Sequence, residues 1–239
     1  MIGRGLTVVL SLCSALAGVP AAASETVDLR LVLAVDASSS VNFSEFSLQM
    51  NGLAAAFRDP GVIAAALGGR HNAIAVTVLM WASPGEAKVA IGWTRIASAE
   101  EADALATAID VTPRVVRGGG TGIAAMLDRA AGLFADTAFQ APRQVIDVAG
   151  DGRDTHDQQT GKTRDRLIAQ GIVINGLPFL NEEPDLEAYY LAAVTGGAGS
   201  FAIPVADYSD FATAMRAKLI REISGDLVVG SRARTIPIL

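Results

Sequence analysis

Cysteine is almost missing from this sequence. The only one, Cys13, lies in a stretch that reads as a leader. The chain beyond it therefore has no disulfide and no thiolate, and any metal must be held by oxygen or histidine. Histidine is nearly as scarce. His71 and His156 are the only two and stand far apart in sequence, which argues against a histidine-based zinc site. Aromatic residues make up 5%, too few for a tyrosine-rich binding face. Positive charge is not in excess either: the formal net charge is −6, so no nucleic acid partner is expected. Two catalytic signatures are also absent, the Gly-x-Ser-x-Gly elbow of serine hydrolases and the Gly-x-x-x-x-Gly-Lys-[Ser/Thr] phosphate loop.

What is present suits one α/β domain. The chain has 239 residues and is 51% hydrophobic, much of that alanine, which is ample for a core. Arg4 supplies a positive start, Gly5 to Val19 is apolar or small, and Ala21-Ala22-Ala23 offers a cleavage site before Ser24 and Glu25. Residues 1–23 therefore read as a secretory signal peptide. The apolar stretch is shorter than the roughly 20 residues a membrane helix needs, so no stable membrane insertion of the mature chain is expected. Leu12 precedes Cys13 where a lipoprotein would have a small residue, which argues against lipid attachment. The expected location is periplasmic or secreted. The domain spans 24–223, and 224–239 form a tail with a short apolar piece, Leu227-Val228-Val229, and a basic, proline-containing end.

From Leu29 onward short apolar runs alternate with longer amphipathic stretches. Strands are predicted over Leu29–Val35 (ending at Asp36), Ala73–Trp81, Lys88–Trp93, Gln144–Ala149, Ile172–Leu177 and Ser200–Val205. Helices are predicted over Phe43–Phe57, Val62–Leu67, Ser98–Ile109, Ile123–Ala135, Gln158–Gln170, Pro184–Val194 and Tyr208–Ile223. Strands separated by helices imply βαβ units. The expected architecture has three layers: a doubly wound, mostly parallel sheet, one antiparallel edge strand after the turn at Ser83-Pro84-Gly85, and helices on both faces. Trp81 and Trp93 read as a packed pair on that hairpin.

In such a sheet, function gathers at the carboxyl ends of the strands. Three segments bring oxygen there: Asp36-Ala37-Ser38-Ser39-Ser40, Thr121 within Gly118-Gly119-Gly120-Thr121-Gly122, and Gly150-Asp151-Gly152. A Ser-x-Ser pair can turn two hydroxyls to one point. Asp36 and Asp151 add negative charge, directly or through water, and Thr121 a third hydroxyl. A hard divalent cation takes oxygen donors of this kind, often one or two carboxylates with waters. The expected metal ligands are thus Asp36, Ser38, Ser40, Thr121 and Asp151, with Mg²⁺, or Mn²⁺ or Ca²⁺, as the ion.

These three elements in this order resemble the metal-ion-dependent adhesion site of von Willebrand factor A (VWA) domains, over about Leu29 to Ile223. The resemblance implies a VWA/Rossmann-like fold and a protein ligand whose Glu or Asp completes the metal coordination. The size and leader are similar to a bacterial exported subgroup of unknown function. Ala149-Gly150-Asp151 departs from the pattern, since many VWA domains carry threonine before the aspartate.

Each residue also has a plainer reading. Ser38 and Ser40 would cap the helix starting at Phe43, but Asn42 or Ser44 can do that. Thr121 would cap the helix at Ile123, and Asp151 would be a turn aspartate before Gly152. Arg153, Asp154 and His156 read as a solvated loop at the rim. Asp147, unusual inside a strand, reads as a structural hydrogen-bonding group. The rival function is a metal-dependent phosphoryl hydrolase with Asp36 as nucleophile, but Ser38 stands where haloacid-dehalogenase-type phosphatases have a second aspartate. The sequence offers no catalytic residues, and a non-enzymatic binding module is expected.

Overall fold

The computed structural model describes residues 24–156 and 159–225. The signal peptide expected over 1–23 and most of the tail expected over 224–239 lie outside the described residues. The chain runs β1 (Glu25–Thr26), β2 (Leu29–Asp36), α1 (Phe43–Arg58), α2 (Pro60–Leu67), β3 (Ile74–Trp81), β4 (Ala87–Ile96) and α3 (Ala99–Val111). It continues through α4 (Ile123–Leu133), β5 (Phe139–Gln140), β6 (Gln144–Gly150), α5 (Thr160–Ile168), β7 (Val173–Pro178), α6 (Leu186–Tyr189) and α7 (Phe211–Ser224).

The main sheet has the order β4-β3-β2-β6-β7. All pairs are parallel except β3 with β4, so the predicted antiparallel edge strand is present. β1 and β5 form a separate two-stranded parallel sheet. Both faces of β2 are apolar, as a sheet covered on two sides requires. Leu29, Leu31, Leu33 and Val35 enter the core shared with α1, α2, α3 and α7. Val32 and Ala34 enter the opposite core, with α4, α5 and the helical segment around Tyr190.

Local sequence explains several boundaries. Asn42 caps α1 through a reciprocal box with Glu45, so Ser38 and Ser40 are not needed for that task. Asp59 closes α1 and caps α2 through its side chain, with Pro60 at the first position. Ser98 caps α3, with Glu100 and Glu101 in the first turn.

Two expectations fail. Ser200–Val205 does not form a strand but a strap along β7 with two isolated parallel bridges, Gly176 with Ala202 and Phe179 with Val205. Pro204 has no N–H to give a ladder, which breaks the run. Trp81 and Trp93 are not a pair: Trp81 is fully buried in one core, while the ring of Trp93 sits 5.9 Å from that of Phe134.

The chain fills one side of β2 with β3 and β4, then returns to the other side with β6 and β7. The winding reverses between β2 and β6, which are neighbours. Their carboxyl ends flank the crevice that a reversal of this kind opens.

Candidate metal centre

Asp36 ends β2 and Asp151 follows β6 directly, so the central strands deliver one carboxylate each to the crevice. The loop after β2 then folds back on Asp36. Ser38 N–H donates to Asp36 Oδ1 at 2.7 Å, and the Ser38 and Ser40 hydroxyls lie 3.0 Å apart. Ser40 Oγ donates to Asp151 Oδ1 at 2.8 Å. These four residues thus form one connected cluster of oxygens. Asp36, Ser38 and Asp151 are buried, while Ser40 is exposed at the mouth.

Thr121 comes from the glycine-rich segment before α4. Ser39 pins that segment: its N–H donates to Gly119 O at 2.9 Å and its hydroxyl accepts from Gly119 N–H at 2.6 Å. Gly119 has φ +129°, where only glycine is at ease. Thr121 is 6% exposed, and its hydroxyl lies 3.4 Å from where a Cβ on Gly152 would stand, which places it beside Asp151. It does not cap α4. Asp154 does so instead, accepting from Ala124 N–H at 2.8 Å, and the Thr121 hydroxyl is left without a hydrogen bond among the described residues. All five predicted residues are therefore brought to one end of the sheet.

The electrostatics of this cluster are unbalanced. Neither Asp36 nor Asp151 has an ion pair with Lys, Arg or His among the described residues. Burial, and then the charge of Asp151, push the Asp36 carboxyl up to about 7. Two buried carboxylates with no cation of their own are costly unless a charge is supplied from outside. Among the described residues no group of three or more His, Cys, Asp or Glu gathers to hold a metal. The donor set is two carboxylates and three hydroxyls, all oxygen, which fits a hard divalent cation and not a soft one.

The rim is a partly exposed loop whose side chains are tied to their surroundings. Arg153 pairs with Glu183 at 2.8 Å and Asp185 at 2.6 Å and lies over the Tyr189 ring. His156 Nδ1 is 3.2 Å from Thr121 O, and Thr155 N–H donates to the same carbonyl at 2.9 Å. These residues hold Thr121 in place from behind. Asp147 is structural but by another means than a strand hydrogen bond: it forms a buried ion pair with Lys218 of α7, away from the cluster.

Sequence reasoning missed three aromatic neighbours. Tyr208, just before α7, donates its O–H to Asp151 Oδ2 at 3.1 Å. Burial and the two nearby aspartates hold that phenol far above its usual range. Tyr190 and Trp81 are buried against Gly150 on the inner side of Asp36. No local spacing pattern marks them, because each comes from a distant part of the chain.

Comparison with known proteins agrees on the fold. Structures with similar folds include a von Willebrand factor type A protein from Catenulispora acidiphila (16% identity, TM-score 0.55), where 83% of this chain matches 43% of that one. Another is the proximal thread matrix protein 1 of the mussel byssus with a zinc-occupied MIDAS motif (15%, TM-score 0.57, 83% against 48%). A third is the vWF domain of the type V pili tip protein Mfa5 from Porphyromonas gingivalis (9%, TM-score 0.54, 88% against 98%). This chain spans less than half of the first two. No curated protein matches it. At these identities the likeness shows the fold, which is that of a VWA domain. The model of one family, described as "Protein of unknown function (DUF1194)", matches residues 26–227, and the chain belongs to that family.

Proposed function

We propose that this protein is an exported binding module that holds a divalent cation at Asp36, Ser38, Ser40, Thr121 and Asp151 and uses it to capture an acidic side chain of a partner protein. The observation that carries the reading is the uncompensated pair of buried carboxylates joined through Ser40 to an exposed mouth. When bound, Mg²⁺ or a similar ion supplies positive charge and a coordination position for an outside carboxylate. The serine and threonine hydroxyls add donors without adding charge, which leaves the ion electrophilic. Asp151 is held from both sides, by Ser40 and by Tyr208. The pili-tip and byssal proteins of similar fold support a role in binding rather than catalysis.

The hydrolase reading is disfavoured by the position of Asp36. Its side chain lies at the bottom of the cluster with no exposed surface, which suits a group that holds an ion better than a nucleophile that must reach a phosphorus atom.

The positive and apolar stretch over 1–23, read as a secretory signal peptide, supports export of a mature chain beginning at Ser24 to the periplasm or outside the cell; N-terminal sequencing of protein recovered from the native periplasm tests this. Melting with Mg²⁺, Mn²⁺, Ca²⁺ or EDTA tests the site. Wild type should melt higher with metal, and Asp36→Ala should show no shift. Copurification of a partner that requires metal and is lost in Asp36→Ala supports capture. Metal-dependent turnover of a phosphoester, abolished in Asp36→Asn, would overturn it.

A further inference from the structure

α1 turns one stripe of side chains toward the end of α3. Phe43, Phe46 and Met50 stand at helical spacing, opposite Val111, the last residue of α3, and Arg114 just beyond it. Between them runs an open groove of about 510 Å³, within the roughly 300–1,000 Å³ of pockets that take ligands. Its floor belongs to the core, since Phe46 and Met50 are buried. Its lips do not. Phe43 is 85% exposed and Val111 76%, more than any other large hydrophobic residue among the described residues.

The Phe43 ring is not needed to start α1. The capping box belongs to Asn42 and Glu45, so a polar residue at position 43 would serve the helix as well. One exposed apolar side chain is ordinary on a protein surface. Two that flank a groove with an apolar floor form a patch, and patches of that kind mark binding surfaces.

The groove also carries charge. Asp110 on its edge is taken by Arg58 at 2.8 Å. Arg114 has no ion pair among the described residues. Its guanidinium carbon lies 4.9 Å from the centre of the Phe46 ring, and its Nη2 donates to Val41 O at 2.7 Å. That second contact joins the groove to the metal centre. Val41 N–H in turn donates to Ser38 O at 3.2 Å, so Arg114 grips the turn that carries Ser38 and Ser40. Phe43 follows Ser40 by three residues, which keeps their Cα atoms within about 11 Å. Groove and mouth therefore form one continuous surface.

We propose that this groove is the second half of the capture surface: it takes a bulky apolar side chain of an acidic partner segment whose Asp or Glu, about three to five extended residues away, reaches the metal. Phe43 is the aromatic anchor of that contact, and Arg114 favours a segment of negative charge. The inference rests on the metal reading above and names the kind of partner that site would take.

Random peptides displayed on phage, selected on the Mg²⁺-loaded wild-type protein and eluted with EDTA, test it. One enriched peptide is then made synthetically and titrated in a calorimeter. Enriched sequences should carry Asp or Glu with Leu, Met, Phe or Trp about three to five residues away. Phe43→Ser should weaken the synthetic peptide by about 10-fold or more, the loss expected of an aromatic anchor. Leu48→Ser, exposed on α1 but outside the groove, should leave its affinity unchanged. Arg114→Gln should weaken it by up to about 5-fold, the worth of an exposed charge pair, and by less at high salt. Phe43→Ser and Leu48→Ser should both take Mg²⁺ as wild type does. Enriched peptides with an acid but no apolar companion, or wild-type peptide affinity in Phe43→Ser, would overturn the inference and leave the metal site standing. So would a failure to enrich any peptide on protein that takes up Mg²⁺. Wild type that takes up no Mg²⁺ by itself would overturn the metal reading, and the inference with it.

Discussion

Asp147 and Asp151 leave the same stretch of chain four residues apart, both buried, and meet opposite electrostatic surroundings. Asp147 points from β6 into the core under α7, where Lys218 pairs with it and also hydrogen-bonds Glu222, one turn further along the helix. Asn175, the register neighbour of Asp147 on β7, donates to Glu222 at 2.8 Å. Burial, and then Asp147, hold the Glu222 carboxyl above the usual carboxylate range. This cluster carries its own cation. Asp151 and its neighbour Asp36 have hydroxyls around them and no paired cation among the described residues. The protein supplies a lysine of its own to the first pair of acids and, among the described residues, no cation to the second. Burial of acids alone is thus not the mark of a site; burial without a counter-charge is.

The contrast can be broken experimentally, and the largest effect should come from the self-neutralised side. Lys218→Met should destabilise the fold by about 3–5 kcal/mol, because it strands buried acid without its partner. Urea denaturation measures this, and a loss below about 1 kcal/mol would show that the two clusters are less different than they look.

The next effect concerns pH. The Asp36 carboxyl is raised from 3.8 to about 7 in the fold, so the metal-free folded protein binds a proton that the unfolded chain releases. Stability from this group is present below the unfolded value and is lost as pH rises from about 4 to about 7, by on the order of 4 kcal/mol. Glu222, shifted in the same direction, adds a loss of the same sign. Denaturation midpoints at pH 4.5 and 7.5 without metal should show the fall, and Asp36→Asn should reduce its slope while leaving the Glu222 share. An unchanged slope in that variant would place the pH dependence elsewhere.

Saturation with Mg²⁺ should then restore what the metal-free protein lacks. At about 100 times the dissociation constant the gain is roughly 2.7 kcal/mol, read as a rise in the denaturation midpoint. Lys218→Met should keep this gain, and Asp36→Ala should lose it. The smallest effect belongs to Ser40→Ala, which removes one hydrogen bond to Asp151. It should cost about 1 kcal/mol in the metal-free protein yet abolish most of the Mg²⁺-induced rise.

Much of this was readable from local pattern. The apolar run ending at Asp36 announces both a buried strand and the residue at its carboxyl end, and the same holds for Asp151 after β6. The site residues came together because the order of strands puts those two ends side by side. What was not readable depends on distance along the chain. Tyr208 meets Asp151 across 57 residues, and nothing near Tyr208 marks it. Lys218 sits on an amphipathic helix where a lysine ordinarily faces water, and only packing shows that it faces in. Thr121 looked suited to cap α4, but Asp154 reaches back over 30 residues to take that task. The strap after Ser200 did carry a legible sign, Pro204.

That proline has an effect beyond the missed strand. β7 ends the main sheet on one side, and a free strand there would present unpaired amides and carbonyls to any neighbouring chain. The strap covers it with backbone bonds from Gly176, Ile203 and Val205, but cannot itself be extended, since Pro204 lacks the amide that the next strand would need. On the far side β4 is irregular in register against β3 and carries Lys88 and Arg95. Both flanks are thus poor templates for self-association.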